Sequence, residues 1–217
     1  MLFHIDLPIL RIDLPIPFQN PKFRERILRH LKRLSPEDRY MRFFTPATDD
    51  FIESYVDRLL DKESFGLNAL FVRYDDFGRE IIGLVDACAV KSKTDEQPTE
   101  FELGISVDVE HRKHGLGYML YEEAFSWLSA LGAKRVFMSC LTTNVPMQRI
   151  VKKFNMASMS EDGERTAELE LPGTKDVVGL LVGNSRNLCG FYDLMYRRQL
   201  SDIWSMTAGW PFEDKHG

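Results

Sequence analysis

The chain has 217 residues, 44% apolar and 28% charged, the balance of an ordinary globular protein long enough to bury one sizeable core. A formal charge of −5 disfavours indiscriminate nucleic-acid binding, which rests on a net basic surface. Fifteen Phe, seven Tyr and three Trp argue against a disordered chain.

The N-terminal stretch carries Asp6, Asp13 and several prolines. It lacks the cationic start and unbroken apolar run of a signal peptide. Ile5-Asp6-Leu7-Pro8-Ile9 is echoed by Ile12-Asp13-Leu14-Pro15-Ile16, a period too short and too seldom repeated for a solenoid. Ile9 to Leu14 reads as a short strand, confined to a sheet edge by the prolines. Asn20-Pro21 is a helix start, an N-cap residue followed by proline at the first helical position. Phe23, Ile27, Leu31 and Leu34 follow at helical spacing, while Lys22, Arg24, Arg26, Arg29, Lys32 and Arg33 form a basic face. That face is either solvated or a dock for an acidic partner. Ser35-Pro36 starts another turn leading into Tyr40, Phe43 and Phe44, the phenylalanine pair reading as core more than as a substrate platform. Thr48 to Asp61 is an amphipathic helix with Phe51, Ile52, Tyr55, Val56, Leu59 and Leu60 on one side.

Asn68 to Tyr74 and Glu80 to Val90 read as strands around an Asp75-Asp76-Phe77-Gly78 turn, an antiparallel hairpin. The second is the longest mostly apolar run; broken by Asp86, it falls short of the roughly 20 residues a bilayer requires. Glu100 to Val109 alternates, with Phe101, Leu103, Ile105, Val107 and Val109 on one face and Glu100, Glu102, Gly104, Ser106 and Asp108 on the other. This is a central strand. A glycine loop precedes a helix from Gly117 to Leu131, with Leu116, Leu120, Ala124, Trp127 and Leu131 as its buried stripe and Gly132 as its C-cap. Arg135 to Leu141 is a strand, Val145 to Phe154 a helix capped by Asn144 or Thr143, and Glu164 to Leu171 a strand after the Asp162-Gly163 turn. Asn187 to about Met206 reads as helical. No linker demands a second domain. Cys88, Cys140 and Cys189 have neither CxxC nor zinc-finger spacing and read as reduced thiols of a cytoplasmic protein.

The informative stretch runs from Val107 to Gly117, where a strand ends, a basic loop with two glycines follows and a helix begins. The first amides of a helix lack intrahelical partners, and the helix dipole adds positive character, so this is an anion site suited to a pyrophosphate. Gly115 and Gly117 let the backbone turn and approach a ligand; Arg112, Lys113 and His114 bring charge. The loop lacks the full GxGxxG of dinucleotide folds and the Gly-Lys-Ser/Thr of a P-loop. His111 and His114 beside Glu110 read as part of an anion loop, and no metal is expected.

Arg112-Lys113-His114-Gly115-Leu116-Gly117, preceded by Val107-Asp108-Val109, resembles the Arg/Gln-x-x-Gly-x-Gly/Ala signature of the GNAT superfamily of acyl-CoA-dependent N-acyltransferases. Asn144, Met147 and Ile150 fall where that family places an Asn, a small or Met residue and an aliphatic residue. Leu34 to Phe44 looks like the corresponding segment of domains related to bacterial protein-lysine acetyltransferases. The similarity spans roughly residues 9 to 171. It implies an α/β fold with a mixed, mostly antiparallel sheet flanked by helices on both faces. A GNAT-like domain would occupy 1–171, with a helical extension packed on it over 172–217. That extension could cover the acceptor cleft or form a homodimer contact.

The resemblance further implies acetyl transfer from acetyl-CoA to a primary amine, on a protein lysine or a small molecule, by direct attack in a ternary complex. The pantetheine arm would pair with Ile105, Ser106 and Val107, and the pyrophosphate would sit on the amides from Arg112 to Tyr118. Asn144 and Met147 would lie against the cofactor, and the Val107 N–H would be the oxyanion donor. An amine needs a base; Glu102 is the first candidate, then Glu100, with Asp108 third. Two departures stand out. Asn155-Met156 replaces the usual Gly-Phe, and Val151 stands where family members often carry a thiolate-protonating tyrosine. Water, Tyr118, Tyr121 or Tyr192 are the substitutes at hand. The alternative is a non-catalytic acyl-CoA-binding regulatory module. Neither nucleic acid nor membrane is an expected partner.

Overall fold

The computed structural model describes residues 10–14, 21–60, 68–90 and 98–172. The expected helical extension over 172–217 lies outside them, apart from Pro172, as do Tyr192 and Cys189. Seven strands form one sheet in the order β1-β2-β3-β4-β5-β7-β6: β1 (Leu10–Leu14), β2 (Asn68–Tyr74), β3 (Ile81–Ala89), β4 (Glu100–Val107), β5 (Arg135–Leu141), β6 (Ala157–Glu161) and β7 (Glu164–Glu170). Every neighbouring pair is antiparallel except β4 and β5. The proline-flanked β1 lies at a sheet edge, where no second ladder needs its N–H groups.

Helices α1 (Pro21–Lys32), α2 (Pro36–Phe43) and α3 (Asp49–Leu60) precede the hairpin; α4 (Leu116–Ala130) joins β4 to β5, and α5 (Val145–Lys153) follows β5. Side-chain alternation along β2 and β3 divides the core in two. Leu70, Val72, Ile81 and Leu84 pack with Phe23, Ile27, Leu31, Ile52 and Val56 of α1 and α3. Ala69, Phe71, Val85 and Ala87 pack with Leu116, Leu120, Tyr121, Ala124 and Leu128 of α4. The sheet is thus covered on both faces, as the resemblance implies.

Several local expectations shift. Ser35-Pro36 opens a full helix rather than a turn, because the Ser35 hydroxyl accepts from the Asp38 N–H at 3.0 Å. The buried stripe of α4 keeps Leu116, Leu120 and Ala124 and adds Tyr121, Phe125 and Leu128, whereas Leu131 is 47% exposed. That helix closes in a Schellman motif, with the Ala133 N–H donating to Leu128 O and the Gly132 N–H to Ser129 O. Asn155 adopts φ 52°, so asparagine fills the left-handed position expected of glycine, and Met156 is buried in the phenylalanine-sized gap. Strand β6 carries no expectation from the sequence; all five of its residues are exposed, and no apolar alternation marks it.

The basic face of α1 is largely neutralised within the chain. Arg24 meets Asp57, Arg29 meets Glu25 and Glu80, Lys32 meets Glu53, and Arg33 meets Glu80 and Asp108. These ion pairs offset much of the charge that a dock for an acidic partner would use. Among the described residues, no helix is long and apolar enough to cross a membrane, and no cluster of His, Cys, Asp or Glu could hold a metal ion.

Candidate active site

The site starts where the sheet comes apart. Strands β4 and β5 pair only over Glu100–Glu102 with Arg135–Phe137. This closed end is tied by the Lys134 N–H donating to Thr99 O at 2.7 Å and by the Arg135–Glu100 ion pair. Beyond Glu102 the strands part and leave a V. Its walls belong to a cleft of about 1450 Å³, lined by Leu103 to Val107, Ser139, the loop after β4, and α2, α4 and α5.

Backbone direction follows from the ladder. Asp108 N–H donates to Ile82 O, and Val90 N–H donates to Glu100 O. The even-numbered residues of β4 therefore point their backbone groups at β3, while Leu103, Ile105 and Val107 point theirs into the V. This corrects one expectation. Ser106 turns its backbone toward Leu84 of β3, and its hydroxyl lies 2.8 Å from His30 Nε2. It is 7% exposed and presents no main-chain group to a ligand in the V. Ile105 and Val107 do.

At the mouth of the V, η1 (Val109–His111) leads into the glycine loop. Lys113 and Gly115 adopt φ 67° and 82°, a conformation that glycine takes without a Cβ clash. The first intrahelical bond of α4 runs from the Met119 N–H to Gly115 O. The N–H groups of Leu116, Gly117 and Tyr118 thus precede the helical ladder and have no partner within it, the arrangement an anion cradle requires. A Cβ on Gly117 would stand 3.4 Å from both Ile105 Cδ1 and Ile150 Cδ1, so glycine brings α4 close to β4 and α5.

Arg112 differs from expectation. Its Nε donates to Val107 O at 2.9 Å, and its Nη1 pairs with Asp38 of α2 at 2.9 Å. Burial favours protonation of Asp38, but Arg112 and Ser35 outweigh it and hold the carboxyl below its usual range. Arg112 therefore braces α2 against the end of β4 while it lines the cleft, its charge shared with Asp38. His114 is exposed and outside the cleft lining, whereas Lys113, Arg149 and Lys153 line it. Tyr118 stacks on Phe154 at 4.5 Å between ring centroids, with Lys153 Nζ 3.5 Å above its ring. Asn144 caps α5, its Oδ1 accepting from the Met147 N–H at 3.2 Å; both residues line the cleft.

The three carboxylate candidates separate clearly. Glu102 is exposed, lines the cleft and stands across the ladder from Cys88. Burial first, then Asp86 and Glu102, push the Cys88 thiol up to about 12, so it stays protonated. Glu100 is bound to Arg135 at the closed end of the V. Asp108 pairs with His30 at 3.1 Å and Arg33 at 2.8 Å. Burial opposes its ionisation, yet these partners hold its pKa below the ordinary carboxylate value. Glu100 lies outside the cleft lining, and both oxygens of Asp108 are engaged.

The sequence did not single out His30, Arg42 or Asp86. His30 is fully buried, and its Nδ1 donates to Ile81 O at 2.9 Å, since a carbonyl can only accept. Its signal was a histidine within the apolar stripe of α1. Arg42 reaches from α2 to a buried ion pair with Asp86, and the Tyr55 hydroxyl donates to Asp86 at 2.9 Å. The guanidinium lies against Gly104, where any Cβ would collide with it. Phe43 packs edge-on against Phe51 and Tyr55 at 5.4 and 5.1 Å, so it serves the core while its edge lines the cleft.

Residues 28–156 match the model of the acetyltransferase (GNAT) family, and the chain belongs to that family. Its general reaction is acetyl transfer to an amine, with acetyl-CoA as the usual donor. No curated protein matches the sequence significantly. Among solved structures, the chain is similar to the GNAT domain of S. lividans PAT, with TM-score 0.62 and 19% identity over 75% of this chain and 90% of that one. It is also similar to a GNAT-family acetyltransferase from Streptococcus pneumoniae (0.55, 18%, 76% and 100%) and to an N-acetyltransferase from Staphylococcus aureus Mu50 (0.54, 14%, 76% and 100%). At these identities the structures share the fold.

Proposed function

We propose that the protein transfers an acetyl group from acetyl-CoA to a primary amine by direct attack in a ternary complex. The observation that carries this reading is the V between β4 and β5, which ends on the unladdered amides of Leu116, Gly117 and Tyr118. An extended amide-bearing arm fits the open edge of β4, and a pyrophosphate fits the helix start. Bound acetyl-CoA supplies the activated thioester.

The chain's own groups then divide the work. Ile105 and Val107 turn backbone groups toward the arm, and the Val107 N–H meets the carbonyl oxygen as negative charge develops on it. Arg112, by holding Val107 O, fixes the orientation of that peptide's neighbour. Lys113, Arg149 and Lys153 offer charge to the phosphates, and Asn144 and Met147 flank the arm. Glu102 accepts the amine proton directly or through one water. Phe43, Phe51 and Tyr55 give the acceptor side an aromatic wall suited to the aliphatic stem of an amine. The likeness of Leu34 to Phe44 to protein-lysine acetyltransferase segments favours lysine side chains among acceptors.

Calorimetry with acetyl-CoA, followed by thiol release with lysine peptides, spermidine and amino sugars, tests this. Micromolar binding and amine-dependent release are expected. Glu102→Gln should retain binding and lose about 100-fold or more in kcat at neutral pH; unchanged turnover would remove Glu102 as the base. The buried, apolar Val151 at the family's tyrosine position favours a second reading, an acyl-CoA-binding regulatory module. Binding without turnover on the whole panel would select that one.

A further inference from the structure

One hydroxyl in the cleft has no hydrogen-bond partner. Tyr121, in the second turn of α4, is fully buried, and its Oη is a buried oxygen that makes no hydrogen bond. Its ring stacks on Phe125 with centroids 5.7 Å apart. The residue lines the cleft together with Leu103, Gly104 and Ser139, which follow Glu102–Phe137, the last β4–β5 pair, along their strands. Buried polar groups are normally satisfied, so an unpaired phenol on a residue that lines the cleft marks a place where a ligand atom belongs.

The reaction needs a donor there. When the amine nitrogen bonds to the thioester carbon and the C–S bond breaks, the bonding electron pair moves onto sulfur. Two other positions are poorly suited to the task. Val151 is aliphatic and buried. The Tyr118 hydroxyl donates outward to Glu122 at 3.3 Å, its ring held between Phe154 and Lys153. We propose that the Tyr121 hydroxyl donates a hydrogen bond to the sulfur of coenzyme A as it leaves, replacing the family's tyrosine from a different helix. This rests on the acetyl-transfer reading above.

Tyr121 keeps its proton throughout. Burial pushes the phenol well above its ordinary value against the pull of Arg42, and an unperturbed thiol ionises near 8.5. The group therefore stabilises thiolate without protonating it. The sulfur gains its proton from solvent on release, and the amine proton goes to Glu102.

Tyr121→Phe removes only the oxygen and keeps the ring packing. A purely structural role predicts an equal or higher melting temperature and unchanged turnover, because the deleted hydroxyl satisfies nothing. The proposal predicts a kcat about 100-fold lower, as for loss of one oxyanion donor, with KM for acetyl-CoA within about threefold. A second readout needs no acceptor. Coenzyme A bound to the wild type should ionise at lower pH than in solution, followed by ultraviolet thiolate absorbance, and the variant should return it toward the solution value. Wild-type kcat, or an unchanged thiol titration in the variant, overturns the assignment. If the wild type binds no coenzyme A, the acetyl-transfer reading itself has failed and this donor role falls with it.

Discussion

Replacing Gly104 with alanine should destabilise the domain by about 3 kcal/mol. A Cβ at this position would overlap the Nη1, Nη2 and Cζ atoms of Arg42, so the guanidinium has to leave. It is held between Asp86 and Tyr55, with side-chain exposures of 14% for Arg42 and 7% for Asp86. Moving it leaves the Asp86 carboxylate in the sheet with the Tyr55 hydroxyl alone. Removing one partner of a buried ion pair costs about 3–5 kcal/mol, and the length of the arginine stem places the expectation at the lower end. In a domain of this size that corresponds to a melting point lower by roughly 10 °C. Urea denaturation at neutral pH reads the free energy directly. An Arg42→Met background supplies the control: with the guanidinium gone, the added methyl group meets a flexible side chain, and Gly104→Ala should cost under about 1 kcal/mol there. A single mutant that melts within about 1 °C of wild type, or a cycle showing no coupling between the two positions, would refute the account of why glycine stands at 104.

Two further outcomes follow from local geometry. Asp108 has a folded-state pKa below its unfolded value of about 3.9. Its contribution is therefore present above about pH 4 and is lost as pH falls through the lowered value; Asp108→Asn should flatten the acid limb of melting temperature against pH while leaving a constant deficit at neutral pH. Asn155, at φ 52°, predicts that Asn155→Ala costs about 1 kcal/mol in urea unfolding, whereas Asn155→Gly stays near wild type.

The strand–loop–helix unit was legible because its signals are local: β4 alternates, Gly115 marks the left-handed turn, and the apolar stripe resumes at Leu116. The Asp162-Gly163 turn, with φ 47° and 84°, was legible for the same reason. Pairings across long separations were not. Arg42 and Asp86 stand 44 residues apart, and Asp86 in the sequence only interrupts an apolar run. The acids that neutralise α1 lie on α3 and on the approach to β3, so the helix alone looks more basic than its surface is. Arg112 was read by residue type as a ligand for phosphate; only the closeness of α2 shows that its charge is already engaged. Strand β6 stayed invisible because an edge strand exposed on both sides leaves no alternation.

Arg112 has one more consequence. It joins Asp38 on α2 to the carbonyl of Val107 on β4. On the proposed acetyl-transfer reading, a chain that changed its acceptor by remodelling the segment from α1 to α3 would have to keep an acid at position 38, or β4 would lose its brace. Diversification of specificity is thereby channelled toward Phe43, Phe51 and Tyr55, whose side chains can change without touching that strut.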